Sequence, residues 1–207
     1  MHIPSEIPEC DILCFEDALK EEQSAEKAYD SDKWLYIPCR YSEYRYILGT
    51  RGKNPLICIG INPSTAEPDK LDNTLKSVER LALFNGYDSF IMFNVYPQRA
   101  TDPNDMQKEL NEKLHRENMQ AFRNILSLYE GHTPGIWAAW GTIIEKRPYL
   151  KECVKTMVEI GEQYNARWYT LGVRSKQKGH PHHPLYLKKD TKAEEFKDIL
   201  EYLESLG

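Results

Sequence analysis

Amides, imidazoles and an indole recur in this sequence just after short apolar runs, where polar chemistry can be held at the edge of a core. Asn62, in Asn62-Pro63-Ser64-Thr65, follows PLICIGI (55–61). Its carboxamide can hold a water or a ribose hydroxyl, or it can fix the turn it sits in. Ser64 and Thr65 can contact phosphate at a helix start, where backbone N–H groups point outward, or act as plain caps. Asn94 lies in SFIMFNV (89–95). An amide offers donor and acceptor side by side, which suits the Watson–Crick edge of a base and equally suits a loop-fixing hydrogen bond. Asp72 can supply a general base if it turns into a pocket; capping a helix is its plainer use. Arg99 is a candidate clamp for phosphate or carboxylate, with Asp102 expected to pair with it. Trp140, before Gly141, could stack on a base or lie in the core, and Tyr186 is a weaker stacking candidate. His183, in GHPHHPLYL (179–187), can as a neutral ring donate a hydrogen bond to the carbonyl of a leaving base, or can be a turn histidine between prolines. His180 and His182 are expected to face solvent or phosphate. Three histidines within four residues could bind a metal, but the prolines and the missing carboxylate weigh against it. Neither a metal nor a cofactor is expected.

The elements that must position these groups follow from periodicity. PLICIGI (55–61), SFIMFNV (89–95), GIWAAWG (135–141) and RWYTLGV (167–173) are short apolar runs that predict buried strands. Between them, Leu75, Val78, Leu81 and Ala82 share a helical face, with Asp72 or Asn73 as cap and Gly86 as stop. Residues 105–129 predict an amphipathic helix through Leu110, Leu114, Ala121, Phe122, Ile125 and Leu128. A further helix is expected over about 148–164, with Pro148 in its first turn. A last one is expected from Thr191, which has Glu194 at capping-box spacing, burying Phe196, Ile199, Leu200 and Leu203. Strands alternating with helices predict a three-layer α/β/α sandwich around a parallel sheet of about four strands. Ligands of such sheets bind beyond the carboxyl ends of the strands, and that is where the polar motifs fall. WLYIPCRYSEYRYIL (34–48) brings Tyr41, Tyr44 and Tyr46 to a sheet edge or to a ligand, packing being the plainer use.

The chain has 207 residues, 41% apolar and 29% charged, which excludes wholesale disorder. Its net charge of -5 is uneven. Residues 1–32 hold ten acidic and two basic side chains, whereas 167–192 hold seven basic and one acidic. A basic stripe of that kind can attract phosphate on an acidic protein, or be a solvated loop. No apolar run approaches a membrane span, and the first residues lack the features of a signal peptide, so a cytoplasmic protein is expected. The five cysteines do not suggest a disulfide framework or a metal pattern, and Cys58 reads as a small core residue. No GxxxxGK[ST] or GxGxxG occurs. Two units are expected: an acidic, partly helical arm (1–32) and a single domain (33–207).

CIGINPSTAEPDKLDNTLKSVERLALFNGYDSFIMFNVYPQRATDP (58–103), AAWG (138–141) and GHPHHPLYL resemble an uncharacterised bacterial and phage family, domain-of-unknown-function family 1643, over about residues 39–187. That family distantly resembles the uracil-DNA glycosylase superfamily. GINPS (60–64) is similar to the GINPG motif of the mismatch-specific branch. FNV resembles the strand end that carries a uracil-reading Asn, here Asn94. AAWGTIIEKR (138–147) resembles a Trp-Gly segment, and His183-Pro184-Leu185 the His-Pro-Ser leucine loop. The resemblance implies a glycosylase-like fold, with Asn62, His183 and Asp72 as catalytic candidates. Ser64, Thr65, Asn94, Arg99, Trp140, Gly141 and Tyr186 are the substrate-binding ones. Asn62 stands where the classical enzymes use an Asp that orients water, and an amide cannot take the proton. The expected partner is a nucleobase, nucleotide or DNA, with two functional readings: hydrolysis of an N-glycosidic bond, or recognition of a nucleotide or single strand without catalysis. In a third reading, the acidic arm covers a basic mouth of the protein itself.

Overall fold

The structure, a computed structural model, describes residues 1–129 and 133–206. Among them lie seven strands: β1 (Trp34–Ile37), β2 (Ile47–Thr50), β3 (Pro55–Gly60), β4 (Ser89–Asn94), β5 (Gly135–Ala138), β6 (Arg167–Leu171) and β7 (Ala193–Glu195). The helices are α1 (Phe15–Ser24), α2 (Asn73–Phe84), α3 (Glu112–Ser127), α4 (Pro148–Gln163) and α5 (Ile199–Ser205). One sheet runs in the order β1-β2-β4-β3-β5-β6-β7. Its centre, β4-β3-β5-β6, is parallel and consists of the four expected strands. The expectation of about four strands falls short because three antiparallel strands extend the edges. β1 and β2 come from the aromatic stretch, whose Tyr44 and Tyr46 are buried.

Alternation along β3 decides the layers. Ile57 and Ile59 face the larger core with α1, α3, α4 and α5, through Phe15, Phe122, Val154 and Leu203. Leu56 and Cys58 face the smaller core with Leu75, Val78, Leu81 and Ala82 of α2. Side chains at i and i+2 share a sheet face, so an unbroken apolar strand must be covered on both. Helices on both faces give the three-layer arrangement.

The last expected helix is corrected. Residues 193–195 form β7, paired antiparallel with β6, and α5 begins only at Ile199. Asn85, just past α2, holds this segment extended: its Nδ2 donates to the Thr191 carbonyl at 3.0 Å, and its Oδ1 accepts the Ala193 amide at 2.8 Å. A partner from a distant element thus overrides the local capping-box signal. Phe196, Ile199 and Leu203 are buried as expected, but Leu200 is 45% exposed. α3 starts seven residues later than expected, where Asn111 accepts the Leu114 amide at 2.9 Å, and Leu128 is exposed at its end.

The acidic arm is packed into the main core rather than lying on its surface. Ile7, Ile12, Phe15 and Ala18 are buried there. The Phe15 amide donates to Glu117 Oε2 of α3 at 2.9 Å, and Tyr46 Oη donates to the Leu13 carbonyl at 2.9 Å. No described helix is long and apolar enough to cross a membrane.

Candidate functional site

β3 leads through α2 on one face to β4, and β5 leads through α4 on the other face to β6. The adjacent strands β3 and β5 therefore send their chains in opposite directions, and a crevice opens beyond their carboxyl ends. Two cavities occupy this place. One, of about 380 Å³, is lined by Arg45, Gly60, Asn62, Ser64, Asp72, Met92, Thr101 and His183, among others. The second, of about 310 Å³, lies beyond β5 against Gly141, Thr142, Ser175, His180, His183 and Tyr186. His183, Pro103 and Leu185 belong to both walls.

The loop after β3 is pinned before any ligand arrives. The Ala100 amide donates to the Pro63 carbonyl at 2.9 Å. Asn62 Nδ2 donates to the Ala100 carbonyl at 2.7 Å. This orients the carboxamide and leaves Oδ1 without a hydrogen-bond donor among the described residues. A preset acceptor at a cavity wall is what holding a water or a sugar hydroxyl requires. Ser64 also lines the cavity, its Oγ 3.5 Å from Thr101 Oγ1. Thr65 is half-buried and does not line it.

Asp72 is the N-cap of α2: its Oδ1 accepts the Leu75 amide at 2.9 Å. Among the described residues it is also the one carboxylate in the cavity lining. Capping uses one oxygen, so both of the roles foreseen for Asp72 are open to it at once. His183 caps the single turn at 184–186, Nδ1 accepting the Leu185 amide at 3.4 Å. The neutral ring therefore carries its proton on Nε2, which has no partner among the described residues. Burial holds the His183 pKa below the usual 6.5, with the nearby Asp72 carboxylate acting in the opposite direction. Neutral imidazole with a free N–H is thus the state at neutral pH. Gly141 sits against this histidine with φ +59°, a left-handed conformation that favours glycine.

Asn94 and Arg99 lie behind the cavity rather than in its lining. Asn94 is buried, with Oδ1 accepting from Arg45 Nη2 at 3.3 Å and Nδ2 unpartnered. Arg99 is fully buried. Its Nη1 donates to the carbonyls of Ser64 and Ala66, and its Nη2 to Tyr36 Oη at 2.9 Å. It holds the 64–66 turn and lines neither cavity, with Nε buried and unpartnered. Nor does it pair with Asp102, which instead accepts the Asn104 amide at 2.9 Å.

Trp140 lies outside the cavities. Its indole is fully buried, with Nε1 donating to Tyr202 Oη at 3.1 Å, so its surface is committed to the core. Tyr186 is 81% exposed and stands beside His183, ring centroids 5.9 Å apart. His180 is buried, contrary to the expectation that it faces solvent. It bridges Glu145 Oε1 (2.8 Å) and Tyr202 Oη (2.9 Å). His182 Nε2 donates to the Val173 carbonyl at 2.8 Å. The histidines therefore do not converge, and no group of three His, Cys, Asp or Glu among the described residues could hold a metal ion. Of the basic stripe, Arg174 pairs with Asp198 and Lys178 with Glu145.

Sequence reasoning overlooked Arg45. It is 1% exposed and lines the cavity. The available signal was a lone cation between two tyrosines in a stretch otherwise read as packing, Tyr44-Arg45-Tyr46.

A family model described as a protein of unknown function, DUF1643, matches residues 45–185. No curated protein and no solved structure matches the chain. The matched span includes every residue lining the first cavity, from Arg45 to Leu185.

Proposed function

We propose that this chain, which belongs to the DUF1643 family of proteins of unknown function, recognises a nucleobase or nucleotide in the Asn62–His183 cavity and hydrolyses its N-glycosidic bond. The observation that carries the reading is that Asn62 and His183, far apart in sequence, line one cavity together with Asp72. Its volume of about 380 Å³ falls in the range of small-ligand sites. The order of motifs that resembles the glycosylase superfamily supports the same assignment.

In this reading Asn62 Oδ1 accepts a hydrogen bond from a water and orients it. The water oxygen attacks the anomeric carbon as the bond to the base nitrogen breaks, and that electron pair leaves with the base. His183 Nε2–H donates to the base carbonyl on which the charge accumulates. The proton lost by the water passes to Asp72, whose second oxygen is not used in capping.

Recognition without turnover is a second reading, favoured by two observations. Asn62 cannot take a proton, and Asp72 is already engaged with the Leu75 amide. Both readings are tested by incubating the full chain in excess with modified and mismatched oligonucleotides and with free nucleotides. Release of a free base supports hydrolysis. Saturable binding without release supports the second reading, and neither binding nor release overturns both.

A further inference from the structure

We propose that the cavity is built for a ligand carrying a compact terminal oxyanion, a phosphate monoester or a carboxylate, seated at its floor against Arg45. This rests on the nucleotide reading above and narrows it. Arg45 donates from Nη1 to the Ala66 carbonyl at 3.2 Å and from Nη2 to Asn94 Oδ1 at 3.3 Å, both neutral acceptors. Its Nε–H is buried without a partner. No carboxylate among the described residues forms an ion pair with Arg45 or with Arg99, the second buried arginine beside it. A guanidinium taken out of water costs several kcal/mol unless a counter-charge repays it. Here burial and the neighbouring Arg99 push the Arg45 pKa down to about 9.

The surrounding groups are short of acceptors in the same way. Asn94 Nδ2, next to Gly60 at the cavity floor, is buried and unpartnered. The Asn73 and Thr74 residues of the first turn of α2 line the cavity, at the end of a helix that favours anions. Two buried cations, Arg45 and Arg99, stand near the single lining carboxylate of Asp72, and neither forms an ion pair with it. An oxyanion supplies an ion-pair partner and acceptor oxygens together. The depth of Arg45 sets the form of that anion. A group 1% exposed is out of reach of the internal phosphates of a DNA duplex, whereas the terminal group of a small molecule can enter the cavity.

Calorimetric titration of the full chain compares nucleosides with their 5′-monophosphates, and uracil with its carboxylate orotate. Inorganic phosphate and a short DNA duplex complete the set. One charge-assisted contact predicts an anion preference of about tenfold or more. The phosphate arm or the carboxylate arm shows it according to the source of the anion. The preference should vanish in Arg45→Gln and return in part in Arg45→Lys. If Arg45→Gln fails to fold, the wild-type ratios decide. Preferences within about twofold in both arms overturn the proposal, as does a preference that survives intact in folded Arg45→Gln. Nucleosides that bind without anion preference would leave the nucleobase reading standing alone. Arg45-dependent phosphate binding with no gain from a base would leave the anion site alone. No binding by any probe up to about 10 mM overturns both.

Discussion

Asp72 has two duties that two substitutions separate. Its Oδ1 caps α2 through the Leu75 amide at 2.9 Å, and its charge lies close enough to His183 and Arg45 to favour their protonated forms. Asp72→Ala removes both the cap and the charge. Losing an N-cap costs about 1 kcal/mol, which lowers Tm by about 2–4 °C in a chain of this size. Asp72→Asn loses the same charge but keeps a side-chain oxygen at the cap, and Asn caps as well as Asp, so it should be more stable than Asp72→Ala by about 1 kcal/mol. Both variants remove the charge, so both should lower the His183 pKa further, and both should abolish any base release that uses Asp72 as proton acceptor. Urea and thermal unfolding read the first duty. Imidazole NMR signals followed over pH, together with base release, read the second. An Asp72→Asn variant as unstable as Asp72→Ala would refute the assignment of stability to the cap. An unchanged His183 titration in both would refute the electrostatic link, and undiminished base release would remove Asp72 from the reaction.

Trp140→Phe should lose about 1–2 kcal/mol of stability, because it deletes the bond to Tyr202 Oη and leaves a gap in the core; ligand affinity should stay within about twofold by calorimetry, and a selective loss of binding would return the indole to the site. Phe15→Ala should cost about 3–5 kcal/mol in urea unfolding, since this arm residue is buried against Tyr46 in the main core; a change below about 1 kcal/mol would mean the arm is dispensable. Burial holds the pKa of both His115 and His183 below 6.5. The unfolded chain therefore binds protons that the folded chain refuses as pH falls through about 6.5. Stability is fully present above that value and declines below it, so the urea midpoint should be lower at about pH 5.5 than at about pH 7.5, with a smaller difference in His115→Gln; a midpoint that rises on acidification would contradict the assignment. Gly49→Ala should destabilise by about 3 kcal/mol or more, because the added Cβ would lie 2.3 Å from the Phe90 carbonyl oxygen of the neighbouring strand; equilibrium unfolding of a normally stable variant would contradict the register of β2 on β4.

The central strands were legible because each is a short apolar run, α2 because its periodicity and its Asp72 cap are local, and α4 because its periodicity and its first-turn Pro148 are. β1, β2 and β7 were not. β1 and β2 lie in the aromatic stretch, where Pro38, Arg40 and Glu43 break the apolar pattern, and β7 is Ala193-Glu194-Glu195, paired with the distant β6. The stretch 191–195 carries a helix-start signal, yet Asn85 and the open edge of β6 hold it extended. Within the site, Asn62 and Ser64 were identified from their place after an apolar run, Asp72 as a cap candidate for α2, and His183 from the order of motifs. Trp140 met the first of these criteria but points into the core, because a residue's place in the chain does not fix which side of a strand end its ring takes.

What the sequence by itself determined is the parallel core and the end of the sheet at which polar groups gather, since both follow from local periodicity and chain order. Only the tertiary structure decided which of those groups share a cavity, which atom of each is left free, and that Arg45 lies buried beside them without an ion-pair partner among the described residues. The physical reason is that burial and hydrogen-bond satisfaction depend on contacts between distant segments. Arg45 Nη2 meets Asn94, and Asn62 Nδ2 meets Ala100, across separations of 49 and 38 residues. No local window of sequence contains either pair.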